Sequence, residues 1–275
     1  MEAMHATTLE VGAEGPRGWI TLARPDKLNP LGTATLLELV EAARWCDARP
    51  DLKVVVVSGQ GRAFSAGADL AAFGGAGDAA AAGEDDAGTA AGEPADPREA
   101  ADAGRRAADA LEAMRAVTVA RIHGHCVGGA VVLAAACDLR VAAASTRFAI
   151  PEVDLGIPLA WGGIPRLVRE IGPALTKELV MTCRPFGADE AKAAGFLNRV
   201  VPDEDLDREV DDLVAQLVGK PALALDVTKR HVGAVADGTV ATARAFADAD
   251  TLVTALHDPE SRAVSARYLA GRRRR

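Results

Sequence analysis

Aromatic residues are scarce in this chain. They make up 4% of its 275 residues, with a single tyrosine. Large rings therefore cannot anchor the core, and small side chains, alanine above all, must fill it between close-packed helices. Positive charge is also short, with a net charge of −8 at pH 7. That balance offers no general basic surface for nucleic acid. The run Arg272-Arg273-Arg274-Arg275 is the exception and reads as a solvated tail. No apolar run approaches the roughly 18–20 residues of a membrane span. The N-terminus lacks the basic-then-apolar pattern of a secretory signal. Cys46, Cys126, Cys137 and Cys183 form no CxxC pair. A cytoplasmic protein with reduced thiols and no metal is the expectation. His123 and His125 are two apart, which would point them to opposite sides of an extended segment.

Regular patterns occupy most of the chain. Strands are expected at 19–22, 54–57, 118–122, 138–142 and 147–150. Val54 to Val57 are four valines in a row, the pattern of a parallel strand buried on both faces. Helices are expected at 33–47, 98–116, 162–170, 173–182, 188–194, 203–218, 221–235, 239–257 and 259–270. In the first, Leu36, Leu37, Val40 and Ala43 fall on one face, with Thr33 as the cap. Strands alternating with helices and followed by a helical tail predict an α/β layered core with an α-helical extension. No fixed internal period is visible. The natural division is 1–200 for the core and 201–275 for the helical C-terminal region with its basic tail.

Residues 74–97 read GGAGDAAAAGEDDAGTAAGEPADP, with six acidic residues and no large apolar or basic one. Such a segment buries too little to offset its ordering entropy, which predicts a mobile loop.

Residues 124–138 read GHCVGGAVVLAAACD. A pair of glycines precedes an apolar stretch of helical length. A helix beginning at Gly129 leaves its first N–H groups without intrahelical acceptors. Glycine lets a ligand oxygen approach them closely. The alternative use of the pair is a tight turn in which two backbones touch. Phe64 to Leu70 read FSAGADL, again small residues after a buried strand, with N–H groups able to face the same cavity.

Three segments together resemble the crotonase, or enoyl-CoA hydratase/isomerase, superfamily: Ala63 to Leu70, Ile122 to Asp138, and Phe148 to Pro158. Gly162-Gly163-Ile164-Pro165-Arg166-Leu167 matches a fourth motif in order. The resemblance covers roughly residues 15–270. It implies a spiral of repeated ββα units, with an α-helical C-terminal region that packs on neighbours in a homotrimer or a dimer of trimers. It implies an acyl-CoA thioester as ligand, with CoA part of the substrate and no separate cofactor. It implies an oxyanion hole made by the backbone N–H groups of Ala68 and Gly129. Lys27, Leu28, Ala66, Ala68, Asp69, Leu70 and Gly128 would lie along the ligand.

The resemblance also implies acid–base chemistry, and here the chain departs from the pattern. The family's hydratases carry two glutamates. One matches Glu152, in the Pro-Glu after the fifth expected strand. The other falls on Val132. Hydration needs a water deprotonated at C3 and a proton delivered to C2. One carboxylate suffices for less: it can take an acidified proton from one carbon and return it to another, which is double-bond isomerisation. The expectation is therefore an enzyme of enolate chemistry in which Glu152 alone moves the proton, with a pKa raised by burial. Two alternatives stand beside it. Asp154, about 6–7 Å from Glu152 on the same face of an extended segment, could complete a hydratase or lyase; His125 is a weaker candidate. The Val132 site also suits an acyl-CoA binding protein with little catalysis.

Overall fold

A computed structural model describes residues 1–69, 96–245 and 247–272. The expected loop at 74–97 lies almost wholly outside the described residues, as do Leu70 and the last three arginines. The final two loop residues are described: Asp96 caps a helix through its side chain, which accepts from the N–H of Arg98, and Pro97 opens that helix.

Three strands form antiparallel pairs at one edge: β1 (Glu2–Met4), β2 (Leu9–Glu14) and β3 (Arg17–Leu22). Parallel strands continue the sheet: β4 (Val54–Gly59), β5 (Val117–Ile122), β7 (Leu139–Ala143) and β10 (Arg199–Val201), in the order β3-β4-β5-β7-β10. A smaller sheet joins β6 (His125–Val127), β8 (Arg147–Ala149) and β9 (Phe186–Gly187). The helices are α1 (Thr33–Asp47), α2 (Pro97–Ala113), α3 (Gly129–Ala135), α4 (Gly163–Thr182), α5 (Ala188–Ala193), α6 (Leu206–Val218), α7 (Ala222–Thr239), α8 (Asp248–His257) and α9 (Pro259–Arg272).

The four valines of β4 show why a continuous apolar run belongs at the centre. Val55 and Val57 join the main core, with α1, α2 and α3. Val54 and Val56 point to the opposite face, where Leu206, Val210, Leu213 and Val214 of α6 cover them with Val119 and Val141. Successive side chains alternate across a strand, so both sheet faces must be capped by helices. The main core is built largely of alanine, valine and leucine, as the shortage of rings requires. Its rings include Phe64 and a cluster around Phe148, which stacks on Phe186 at 5.2 Å and stands edge-on to Phe196 at 5.9 Å.

Several boundaries differ from the sequence reading. Gly32, not Thr33, precedes α1, and its buried side uses Leu39 rather than Leu37. The helix expected over 239–257 is interrupted: α7 ends at Thr239, Thr242–Ala245 form a single tight turn, and α8 starts at Asp248. The expected helices at 162–170 and 173–182 join as α4 across a kink at Gly172, whose φ of 75° precedes Pro173. Proline disfavours the α conformation in the residue before it, which accounts for the break.

Candidate active site

Three chain segments converge at the C-terminal ends of the parallel strands. The first is 65–69. Its Ser65 N–H donates to the carbonyl of His125 (3.0 Å), and its Ser65 carbonyl accepts from Val127 N–H (3.1 Å). On its other side lies the turn at 25–29. Leu28 accepts from Ala66 N–H (2.9 Å), and Leu31 N–H donates to the carbonyl of Gly67 (2.9 Å). The buried Asn29 ties the turn down by donating to the carbonyls of Gln60 and Ala63, both at 2.9 Å. Ser65 Oγ donates to the Asn29 carbonyl (2.7 Å) and accepts from Gly67 N–H (3.1 Å).

This bonding pattern aims Ala68. In a trans peptide the C=O and the following N–H point in opposite directions. The Gly67 carbonyl faces Leu31, so Ala68 N–H faces away from Leu31. No atom of the described residues accepts from it. Gly67 has φ 88°, and a Cβ there would lie 2.6 Å from the Val127 carbonyl oxygen, so only glycine permits this approach.

The second segment carries the glycine pair. Gly128 has φ 56° and ψ −123°, and its N–H donates to the Ala149 carbonyl (2.8 Å). Gly129 begins α3, all seven of whose residues are buried. Its N–H has no intrahelical acceptor. The far end of α3 is anchored by Asp138, whose carboxylate accepts from Thr118 N–H (2.7 Å) and pairs with Lys229 Nζ (2.7 Å).

The third segment brings Glu152. Its carboxyl group lies directly over Gly128: a Cβ on that glycine would sit 2.5 Å from Oε1. Glu152 is 8% exposed, and Oε2 is buried with no hydrogen-bond partner among the described residues. Burial pushes its pKa up from the ordinary 4.5 to about 7, against a weaker opposing bond from its own backbone. An orphaned carboxyl oxygen in such surroundings is unfavourable for folding. At neutral pH the group can hold or release a proton with little bias.

The neighbouring positions are apolar. Val132 is fully buried on α3, with Cγ2 packed so closely on Gly163 that a Cβ there would lie 2.8 Å away, beside Leu159. Asp154 does not share a face with Glu152, because the segment is a turn and not extended. Leu155 N–H donates to the carbonyls of Pro151 and Glu152, both at 3.0 Å, and Gly156 follows with φ 73°. Asp154 is exposed on the outside of that turn, and His125 is also exposed. Lys27 is exposed and Leu28, with φ 59°, is half-buried beside Ala66. Asp69 pairs with Arg24 at 3.5 Å. Trp161, absent from the sequence reading, stands against Gly129: its Cζ3 would be 2.0 Å from a Cβ there.

Among the described residues, no group of three His, Cys, Asp or Glu side chains is placed to hold a metal ion. Burial pushes the thiols of Cys46 and Cys137 to about 12 and that of Cys126 well up, so none offers a thiolate at neutral pH. No described helix is long and apolar enough to cross a membrane.

Comparison with known proteins decides the family. The enoyl-CoA hydratase/isomerase family model matches residues 18–80 and 73–273. The chain belongs to the enoyl-CoA hydratase/isomerase family. It is 33% identical to a crotonyl-CoA hydratase of Syntrophomonas wolfei, over 75% of this chain and 74% of that protein. It is 32% identical to a peroxisomal Delta(3,5)-Delta(2,4)-dienoyl-CoA isomerase of Arabidopsis thaliana, over 76% and 74%. A solved enoyl-CoA hydratase of Mycobacterium avium subsp. paratuberculosis shares the fold with TM-score 0.82 at 24% identity, over 96% of this chain and 99% of that one. A Geobacillus kaustophilus enoyl-CoA hydratase structure is 33% identical, with TM-score 0.73 over 85% and 84%. Family membership makes the chain an acyl-CoA enzyme of the hydratase/isomerase type. The relatives include both reaction types, so the reaction must be argued from the site.

Proposed function

We propose that this enzyme moves a proton on a CoA thioester through Glu152 alone, by way of an enolate. The thioester oxygen accepts from Ala68 N–H and Gly129 N–H, and each such donor contributes about 2.7–4 kcal/mol to an oxyanion-like transition state. Glu152 removes a proton from C2, and the electron pair moves onto the thioester oxygen. With a 3-enoyl thioester the same carboxyl group returns the proton to C4, and the double bond moves from C3–C4 to C2–C3. The observation that carries the reading is the buried Glu152 carboxyl over Gly128, whose Oε2 has no partner among the described residues, beside two N–H groups that find no acceptor among those residues.

Val132 argues against two-carboxylate hydration, because a fully buried apolar side chain packed on Gly163 stands at the position where the family likeness puts the second acid. Asp154 offers no replacement from its exposed turn. CoA belongs to the substrate, and the chain of the ligand would pass Lys27, Leu28, Ala66, Ala68 and Asp69. The exposed Leu223, Val227, Val232 and Val235 of α7 support a homo-oligomer, a homotrimer or dimer of trimers by family likeness. A cytoplasmic location fits the buried free thiols.

The test supplies short 2-enoyl- and 3-enoyl-CoA thioesters and follows hydration and double-bond migration side by side. Migration well in excess of hydration is expected. Efficient hydration with no migration would remove the single-acid reading.

A further inference from the structure

Trp161 has no part in the proton transfer, yet the fold takes unusual measures to hold it. Its φ is 62°, a left-handed conformation that is an outlier for a bulky residue. Two glycines on different helices form the socket for its ring. A Cβ on Gly104 would lie 2.0 Å from Cδ2 and Cε2, and one on Gly129 would lie 2.0 Å from Cζ3. Gly104 stands inside α2, where glycine weakens a helix, so its use there needs a packing reason. The backbone is held on both sides. The Trp161 carbonyl accepts from Arg166 Nη1 at 3.2 Å, and the next N–H, that of Gly162, donates to Asp248 Oδ2 at 2.7 Å. Arg166 is fully buried and reaches back to Asp109 (2.8 Å) and Glu112 (2.5 Å) on α2.

We propose that Trp161 sets the acyl-chain length, its indole forming the wall beside Gly129 that restricts the enzyme to short acyl groups. This rests on the reading of Gly129 N–H as a donor to the thioester oxygen. A carbonyl oxygen held by that N–H stands about 2.9 Å from the nitrogen. The acyl group therefore starts beside the residue whose Cα the indole covers. Glu152 takes the neighbouring position at Gly128, and Val132, with Leu159 and Gly163 behind it, closes the side one helical turn further on. A chain growing past its first few carbons meets the ring. The socket and the flanking hydrogen bonds keep the ring from yielding.

The experiment measures binding of butyryl-, hexanoyl-, octanoyl- and decanoyl-CoA by calorimetry to the wild type, Trp161→Ala and Trp161→Phe. Wild-type affinity is expected to fall by about tenfold or more from butyryl to octanoyl, the scale on which a closed apolar pocket rejects extra methylenes. Trp161→Ala should abolish that fall. Trp161→Phe keeps a ring on the glycines and should prefer an intermediate chain, which decides the matter even where the alanine variant does not fold. Butyryl-CoA should also change tryptophan fluorescence in the wild type and not in Trp161→Phe, since Trp19 and Trp45 remain as controls. Equal wild-type affinity for all four thioesters, or an unchanged ranking in both variants, overturns the proposal alone. Failure of the wild type to bind any of them removes the oxyanion-donor reading, and this proposal with it.

Discussion

Replacing Glu152 by glutamine should make the protein more stable, and increasingly so as pH rises. The glutamine amide is nearly isosteric but does not titrate. The carboxyl group has a folded pKa of about 7 against an ordinary 4.5, raised by burial. In the unfolded chain it loses its proton near its ordinary value. Between those two pH values the folded state binds more protons than the unfolded one, so wild-type stability falls as pH rises. The rise from 4.5 to about 7 corresponds to about 3 kcal/mol. Below about pH 4.5 this group contributes no slope, and above about pH 7 the full penalty is present. Urea unfolding of both proteins across that range, at one fixed protein concentration, reads the effect. Subtracting the two curves removes the contribution of the other titrating groups, which the substitution leaves in place. The stability of Glu152→Gln minus wild type should grow by about 3 kcal/mol from pH 4.5 to pH 7.5. A difference that stays constant across this range would show that Glu152 is not desolvated, and the argument for its proton chemistry would lose its basis.

Further outcomes follow from the same contacts. Gly128→Ala should lower stability by about 1–3 kcal/mol through its positive φ, and should lower turnover by about a hundredfold, because the new Cβ displaces Oε1 of Glu152; thermal unfolding and steady-state rates check the two parts. Val132→Glu should destabilise by several kcal/mol, since a carboxylate replaces a fully buried side chain packed on Gly163 and Leu159. A folded Val132→Glu protein should gain some hydration of a short 2-enoyl thioester, measured by loss of enoyl absorbance. In the wild type, the rate of proton removal with kcat/KM conditions should rise with pH and level off above about pH 7, as the Glu152 base ionises.

The layered core could be read from the chain because its signals are local. The valine run of β4 and the small-residue helices announce burial on both sheet faces. The edge strands β1 and β2 were not legible. Gly12 in β2 is shaped by the ring of Trp19 across the ladder, a contact that sequence spacing does not reveal. Within the site, the convergence of Ala68, Gly128, Gly129 and Glu152 could be anticipated from the family motifs. The misplacement of Asp154 has a physical cause: Pro151 suits the first position of a helical turn and Gly156 its end, so the chain coils where alternation would need it extended. That proline–glycine spacing was the available signal. Trp161 was harder to foresee. Its position depends on a glycine of α2 and on Asp248 of α8, both distant in sequence, and only Gly162-Gly163 beside it hinted at an irregular backbone. Gly129 itself shows how a site constrains its own tests. A proline there would be tolerated by the start of a helix, yet its ring would strike Trp161, so that substitution cannot isolate the loss of one N–H.

The most direct measurement follows the C2 proton of a saturated short acyl-CoA in deuterated water, with the wild type and Glu152→Gln side by side and thioester binding recorded for each. The account predicts exchange in the wild type, its loss in Glu152→Gln by a factor of about a hundred or more, and nearly equal binding by both. Exchange that persists in Glu152→Gln at the wild-type rate would contradict the assignment of the proton transfer to this carboxyl group.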